Sequence, residues 1–203
     1  LFQEGSGGSP YQKISMERED RGVWSWKTEA CLHGVYYDFA IEMEGKTVRS
    51  ADPYAKACGI NGRRSMAVDL SRTDPEGWES DRAPERQEEQ IIYELHVKEF
   101  SWDASGGFPE AYRGKYKAFT CGDTTLYDDG VHPTGLNYLK DLGINAVELM
   151  PVFEFDETMN SREVNGKLLL DYWGYNTVSF FSPNSSYAST PEYNHEGTEL
   201  KEL

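Results

Sequence analysis

The chain has 203 residues, of which 38% are hydrophobic and 27% charged, a composition typical of a globular protein and not of a disordered one. Its formal net charge of −15 disfavours nucleic acid and anionic membrane surfaces as partners, because both are bound through Lys and Arg. No apolar run reaches the roughly 18 residues of a membrane span and no signal-peptide pattern is present, which leaves localisation open between cytoplasmic and secreted bacterial.

Cysteine and histidine are sparse and lack the spacings of known metal sites. The three cysteines show no C-x-x-C pair and the four histidines no H-x-x-x-H pair, so we predict no disulfide framework, no metal site and no cofactor. The residues concerned are Cys31, Cys58, Cys121, His33, His96, His132 and His195.

Residues 1–70 predict an antiparallel β-sandwich. Apolar residues recur at every second position from Val35 to Ile41, which is the period of a half-buried strand. Gly45 follows Glu44 between two such runs and supplies the positive φ of a hairpin turn. The strand pattern then gives way at residues 71–90 to dense charge with Pro75 and Pro84, which indicates an acidic connection between domains.

Residues 91–203 predict the first part of a (β/α)8 TIM barrel. "IIYELHVKEF" at 91–100 is an apolar-rich strand, and a second strand begins at about Asn145 in "INAVELMPVFEF". Between them lies "HPTGLNYLKDLG", with leucines three residues apart, Thr134 as cap and Gly143 as stop. Strand, helix and strand in this order indicate two parallel strands joined by a right-handed crossover.

His96 lies inside the first predicted strand. Strict alternation would place Glu94, His96 and Lys98 on one side and Tyr93, Leu95 and Val97 on the other. A polar side of a barrel strand lines its interior or its catalytic face, but a lone strand histidine is more often a satisfied core residue. The sequence leaves both interpretations open.

The stretch "LLLDYWGYNTVSFFSPNSSYAS" at 168–189 is aromatic in an otherwise acidic chain. Aromatic faces beside amides and hydroxyls fit a sugar ring, and they also fit an ordinary core segment. Gly174 permits the close backbone approach that fixes a neighbouring side chain. Its rings include Tyr172, Trp173, Tyr175, Phe180 and Phe181.

Seven segments carry a family resemblance. "IIYELHVKEFS", "GKYKAFT", "TGLNYLKDLGINAVELMPVFEF" and "DYWGYNTVSFFSPNSSYAS" resemble the opening of the catalytic barrel of type I pullulanases, α-1,6-glucan debranching enzymes of glycoside hydrolase family 13. Upstream, "GVYYDF", "DPYAKACGINGRRSMAVDL" and "PEGWESDRAP" resemble the carbohydrate-binding module of family 48. The resemblance covers nearly the whole chain and implies a multi-domain arrangement: a β-sandwich module at 1–70, the connection at 71–90, and the N-terminal part of the hydrolase barrel at 91–203.

The resemblance also implies substrate-binding residues. The family motif close to "YNWGYDP" aligns with Asp171 to Thr177, and its second tyrosine, here Tyr175, lies against a glucose ring beside the scissile bond. Asn176 and Thr177 depart from the usual Asp and Pro, which affects the fine chemistry of the subsite and not the placement of the tyrosine. With Tyr175 we expect Trp173, Asn176 and His96 to bind substrate.

No carboxylate of this chain is assigned a catalytic role. Retaining glycosidases use two carboxylates about 5–5.5 Å apart, and in the resembled family both lie on later strands, after a "DVVYNH"-like motif that this chain lacks. The acidic candidates Glu148, Glu154, Asp156, Glu157 and Asp171 match no catalytic position.

The expected function follows from the implied substrate-binding residues and from the lack of an assigned catalytic carboxylate. The chain should contribute to a debranching hydrolase that acts on pullulan, starch or glycogen branches, and it should be inactive alone. The alternative is a non-catalytic α-glucan-binding protein, and a reading frame that continues into a "DVVxNH"-type motif would separate the two. We also expect the missing C-terminal part of the barrel as a partner, since apolar residues such as Val147, Leu149 and Val152 would otherwise be uncovered and promote aggregation or dimerisation.

Overall fold

A computed structural model describes residues 1–85, 89–190 and 195–203, and within them it contains twelve short strands and three α-helices. No helix of these described ranges is long and apolar enough to cross a membrane. The strands are β1 Glu17–Arg18, β2 Trp24–Ser25, β3 Tyr36–Tyr37, β4 Phe39–Met43, β5 Lys46–Ser50, β6 Ser65–Met66, β7 Ile92–Leu95, β8 Ala146–Leu149, β9 Phe153–Phe155, β10 Arg162–Val164, β11 Lys167–Leu169 and β12 Thr177–Pro183. The helices are α1 Val97–Ser101, α2 Gly135–Asp141 and α3 His195–Glu202.

The N-terminal part pairs its strands in antiparallel fashion. β1 pairs with β2, β3 with β6, and β4 with β5. The β4–β5 hairpin is the one predicted from the sequence, and its turn residues Glu44 and Gly45 both have positive φ, at 51° and 76°. The antiparallel pairing is therefore confirmed. The two packed sheets of a sandwich stay a prediction, because the described strands pair only two by two.

The hairpin turn offers a stabilising substitution. Glu44 is a non-glycine residue in the left-handed region, which an ordinary side chain occupies at a cost of about 1–2 kcal/mol and asparagine at less. We therefore expect Glu44→Asn to raise the free energy of unfolding by about 0.5–1 kcal/mol in a urea titration. Glu42→Asn on the neighbouring strand is the control, and an equal gain from it would show that the turn is not the cause.

The predicted strand, helix and parallel strand are confirmed. β7 and β8 run parallel, in register from Ile92 opposite Ala146 to Leu95 opposite Leu149, and α2 lies between them in the chain. Gly143, at a φ of 82°, follows the end of α2 as expected. The remaining strands of a barrel stay a prediction.

Three details of this unit differ from the sequence prediction. The first strand ends at Leu95 and not at Phe100, because His96 turns the chain and α1 follows. The second apolar run is interrupted around Pro151, and β9 turns to pair antiparallel with β12 instead of extending β8. Thr134 occupies the N-cap position of α2 but makes no side-chain cap, since its hydroxyl donates to the carbonyl of Gly106 at 2.7 Å.

The first part of the acidic connection packs against α3, while most of its described residues are exposed. Its first turn, Leu70–Thr73, buries Thr73 completely. Lys201 of α3 donates to the Thr73 hydroxyl at 2.7 Å and pairs with Asp74 at 2.5 Å, while its ammonium lies 5.1 Å from the ring centre of Trp78. Residues 73–78 are thus held to α3, which the linker-like composition did not predict. Residues 86–88 of the predicted connection lie outside the described residues.

A hydrophobic core forms beneath β7, β8 and β9. Phe100, Leu149 and Val152 pack against it, so only Val147 of the three residues predicted to be uncovered is exposed. The buried members of this cluster are Leu95, Val97, Tyr116, Phe119, Leu139, Phe155 and Tyr187.

A buried carboxylate on β9 links the N-terminal part of the chain to the turn that follows β12. Glu154 of β9 is fully buried, and its two oxygens accept from the Asn61 N–H at 2.7 Å and from the N–H and hydroxyl of Ser185 at 2.8 and 3.0 Å. The Asn61 side chain in turn accepts from the N–H of Glu157 at 2.9 Å. Burial raises the pKa of Glu154 to about 7, although the donated hydrogen bonds oppose this shift.

Candidate functional site

The aromatic loop from Asp171 to Asn176 lies between β11 and β12, and one glycine sets its shape. Gly174 has a φ of 82°, and a Cβ at this position would lie 3.2 Å from Pro151 and 3.3 Å from the ring of Phe155. The bare backbone therefore packs against the end of the core. The residues on either side turn outward, so Trp173 is 62% exposed and Tyr175 67%.

Tyr172 anchors this loop to the end of β7. Its ring stacks on that of His96, with centres 4.6 Å apart and planes 21° apart, and its carbonyl oxygen lies 2.9 Å from Nε2 of His96. Because a carbonyl can only accept, Nε2 carries the proton. The other ring nitrogen, Nδ1, accepts from the N–H of Lys98 at 3.2 Å and so caps α1.

His96 is therefore held as a neutral imidazole. The ring is buried, and burial lowers its pKa, although the hydrogen bond to Tyr172 opposes the shift. The hydroxyl oxygen of Tyr187, from the turn after β12, lies 3.1 Å from the same Nε2. Three separate chain segments thus meet at one ring, and their relative positions depend on it.

The outer edge of Tyr172 contacts α1. Its hydroxyl donates to Glu99, and the ammonium of Lys98 lies 5.4 Å from its ring centre. Burial and then the Glu99 carboxylate raise the pKa of the Tyr172 phenol, which keeps it a hydrogen-bond donor. The sequence prediction missed Lys98 and Glu99 as neighbours of the loop, because it extended β7 through both of them.

The structure divides the four predicted substrate-binding residues into two groups. Trp173 and Tyr175 present exposed rings. Asn176 is half-buried and its amide donates to the carbonyl of Asp156 at 3.2 Å, while both ring nitrogens of His96 bind protein atoms. In this structure Asn176 and His96 support the loop, and substrate contact by any of the four stays a prediction.

Core packing, the other interpretation of the aromatic stretch, does not describe most of its rings. Trp173, Phe180 and Phe181 are exposed, and only Tyr172 is half-buried. The aromatic core residue of this region is Tyr187, which lies at the end of the same stretch and is almost fully buried.

Carboxylates near the loop are mostly engaged by the protein itself. Asp156 accepts from the N–H and hydroxyl of Thr158 and pairs with Arg63 at 3.5 Å. Asp171 accepts from the Asn160 amide at 2.9 Å. These contacts give the two carboxylates structural roles in the arrangement described.

Comparison with known proteins connects this geometry to a family, although no family model matches the chain. The pullulanase of Bacillus subtilis is 33% identical over 192 residues, which are 94% of this chain and 25% of that protein. The structure of the pullulanase of Bacillus acidopullulyticus matches with a TM-score of 0.77 and 38% identity, over 95% of this chain and 23% of that one. By sequence and by fold, this chain is a relative of the pullulanases.

The pullulanase of Paenibacillus barengoltzii extends the comparison to a sugar complex. Its structure with maltohexaose and α-cyclodextrin matches with a TM-score of 0.81 and 28% identity, over 98% of this chain and 30% of that one. The resemblance to pullulanases read from the sequence segments is thus confirmed. The chain spans only about a quarter of the length of the pullulanases it matches.

Proposed function

We propose that this chain is part of a type I pullulanase-like debranching enzyme, a hydrolase of α-1,6 links in branched α-glucans. Such an enzyme would retain anomeric configuration by forming and then hydrolysing a covalent glycosyl-enzyme intermediate between two carboxylates. Within it, residues 1–70 would form a carbohydrate-binding module, 71–90 the connection, and 91–203 the first part of the barrel. The similarity to pullulanases over most of the chain supports this assignment.

The main observation in support of the proposal is that the aromatic loop is held in place and exposes two rings, Trp173 and Tyr175. A glucose unit has an apolar C–H face that stacks on an aromatic ring, and a rim of hydroxyls that needs donors and acceptors in its plane. Tyr175 and Trp173 are exposed while Gly174 between them is buried against Pro151 and Phe155. A loop whose backbone is held in place and whose rings are exposed suits sugar binding, because little backbone freedom is lost when the sugar arrives.

The chain alone should bind α-glucan without cleaving it. The carboxylates Glu154, Asp156 and Asp171 accept hydrogen bonds from protein groups, and in the resembled family the catalytic pair lies on later strands. We therefore expect no release of reducing sugar from pullulan by the 203-residue protein. Measurable turnover would contradict the assignment of the catalytic carboxylates to a part outside this chain.

The binding function is tested by Tyr175→Ala. We expect the affinity for maltohexaose, measured by isothermal titration calorimetry, to fall about five- to tenfold, because a ring–sugar stack is worth about 1–1.4 kcal/mol. Tyr138→Ala is the matched control, since Tyr138 is an exposed tyrosine on α2. Equal affinities of Tyr175→Ala and the parent chain would remove the loop from the glucan site.

A further inference from the structure

The short helix α1 presents three residues beside the aromatic loop. Trp102 follows Lys98 by four residues and Glu99 by three, so each pair is about one helical turn apart, whereas Val97 and Ser101 of the same helix are buried. Trp102, directly after α1, is 59% exposed. Core packing does not explain why this indole is at the surface.

The indole is held in place despite its exposure. Gly114 has a φ of 73°, and a Cβ on it would lie 3.0 Å from the Lys98 side chain and 3.1 Å from Cε3 of Trp102. The N–H of Gly114 donates to the hydroxyl of Ser101 at 2.8 Å, which fixes this backbone against α1. The ammonium of Lys98 lies 4.6 Å from the Trp102 ring centre.

Trp102 is continuous with the proposed sugar loop through Tyr172. Lys98 lies near both rings, at 4.6 Å from that of Trp102 and 5.4 Å from that of Tyr172, and Glu99 accepts from the Tyr172 hydroxyl. The surface that joins the two elements therefore carries aromatic faces, one ammonium with three donors, and one exposed carboxylate with open acceptor positions. This is the combination of groups that a glucose unit requires.

We propose that Trp102 is a further sugar-contact residue, which takes a second glucose unit of the α-glucan chain that lies on Tyr175, with Lys98 and Glu99 binding its hydroxyls. The inference rests on the proposed function, and it deepens that function by extending the site from the loop onto α1. The competing explanation is an ordinary surface pair of Lys98 and Trp102, four residues apart on a helix, which stabilises α1 slightly and binds nothing.

The test compares Trp102→Ala, Trp102→Phe and Tyr175→Ala by titration calorimetry with maltohexaose and maltotriose, and Tyr138→Ala serves as control. We expect Trp102→Ala to weaken maltohexaose binding about tenfold, to affect maltotriose less, and to be partly rescued by Trp102→Phe. The pairing of Tyr172 with Glu99 should persist, and the urea midpoint of unfolding should stay close to that of the parent chain.

The outcomes separate this inference from the proposed function. If Tyr175→Ala weakens binding and Trp102→Ala does not, the Trp102 inference is wrong and the proposed function stands. A loss with Trp102→Ala alone would support sugar contact by Trp102, but it would remove Tyr175 from the site and overturn the placement of the second glucose unit beside one on Tyr175. If the parent chain does not bind maltohexaose, both fail.

Discussion

Replacing His96 with alanine is expected to lower the free energy of unfolding by about 2–4 kcal/mol, and to weaken maltohexaose binding although the ring is buried. The substitution removes the cap of α1, leaves the Tyr172 carbonyl without its donor, and takes away the ring on which Tyr172 stacks. The loop that carries Trp173 and Tyr175 would then lose its anchor. Urea titration and calorimetric titration with maltohexaose measure the two effects.

His96→Asn provides the matched control. An asparagine at this position can still cap α1 through its side-chain oxygen, but it is too short to reach the Tyr172 carbonyl or to replace the ring stack. We expect it to recover about 1 kcal/mol of stability and little of the affinity. A loss of affinity with unchanged stability in His96→Ala would instead support direct substrate contact by His96.

The βαβ unit could be predicted because its signals are local. The apolar runs that contain β7 and β8, and the leucine spacing and terminal glycine of α2, are each visible within about ten residues. The end of β7 is different. His96 can turn the chain there because its ring meets the Tyr172 carbonyl and the Tyr187 hydroxyl, which are 76 and 91 residues away in sequence. No local pattern contains those partners.

The same reasoning explains what was missed in the candidate site. The exposure of Tyr175 followed from a family motif, and Gly174 gave a physical reason for it. Lys98 and Glu99 were assigned to the strand at 91–100, where alternation separates them, and Trp102 lies beyond that predicted strand. Their common surface appears only once the segment is helical. The spacing of Lys98 and Trp102, four residues apart, was the available signal.

The buried Glu154 is the second residue whose loss should have a large effect. Glu154→Ala would leave three donors without an acceptor, the N–H of Asn61 and the N–H and hydroxyl of Ser185, and would open a cavity between β9 and the N-terminal part. We expect the free energy of unfolding to fall by about 3–5 kcal/mol in a urea titration. Glu148→Ala, at an exposed position on the neighbouring strand β8, is the control and should change it by less than about 0.5 kcal/mol.

Glu154→Gln isolates the effect of the charge. The pKa of Glu154 rises from 4.5 to about 7 on folding, chiefly through burial and further through the nearby Glu157 carboxylate, so its stabilising contribution is fully present below pH 4.5 and is lost as the pH rises through 7. Glutamine does not titrate, and other titrating groups cancel in the difference between the two proteins. The stability advantage of the parent chain over Glu154→Gln should therefore shrink by about 2–3 kcal/mol between pH 5 and pH 8. An advantage that grows with pH would mean that the hydrogen bonds from Asn61 and Ser185 outweigh burial, and that the junction is held by a carboxylate and not by a carboxylic acid.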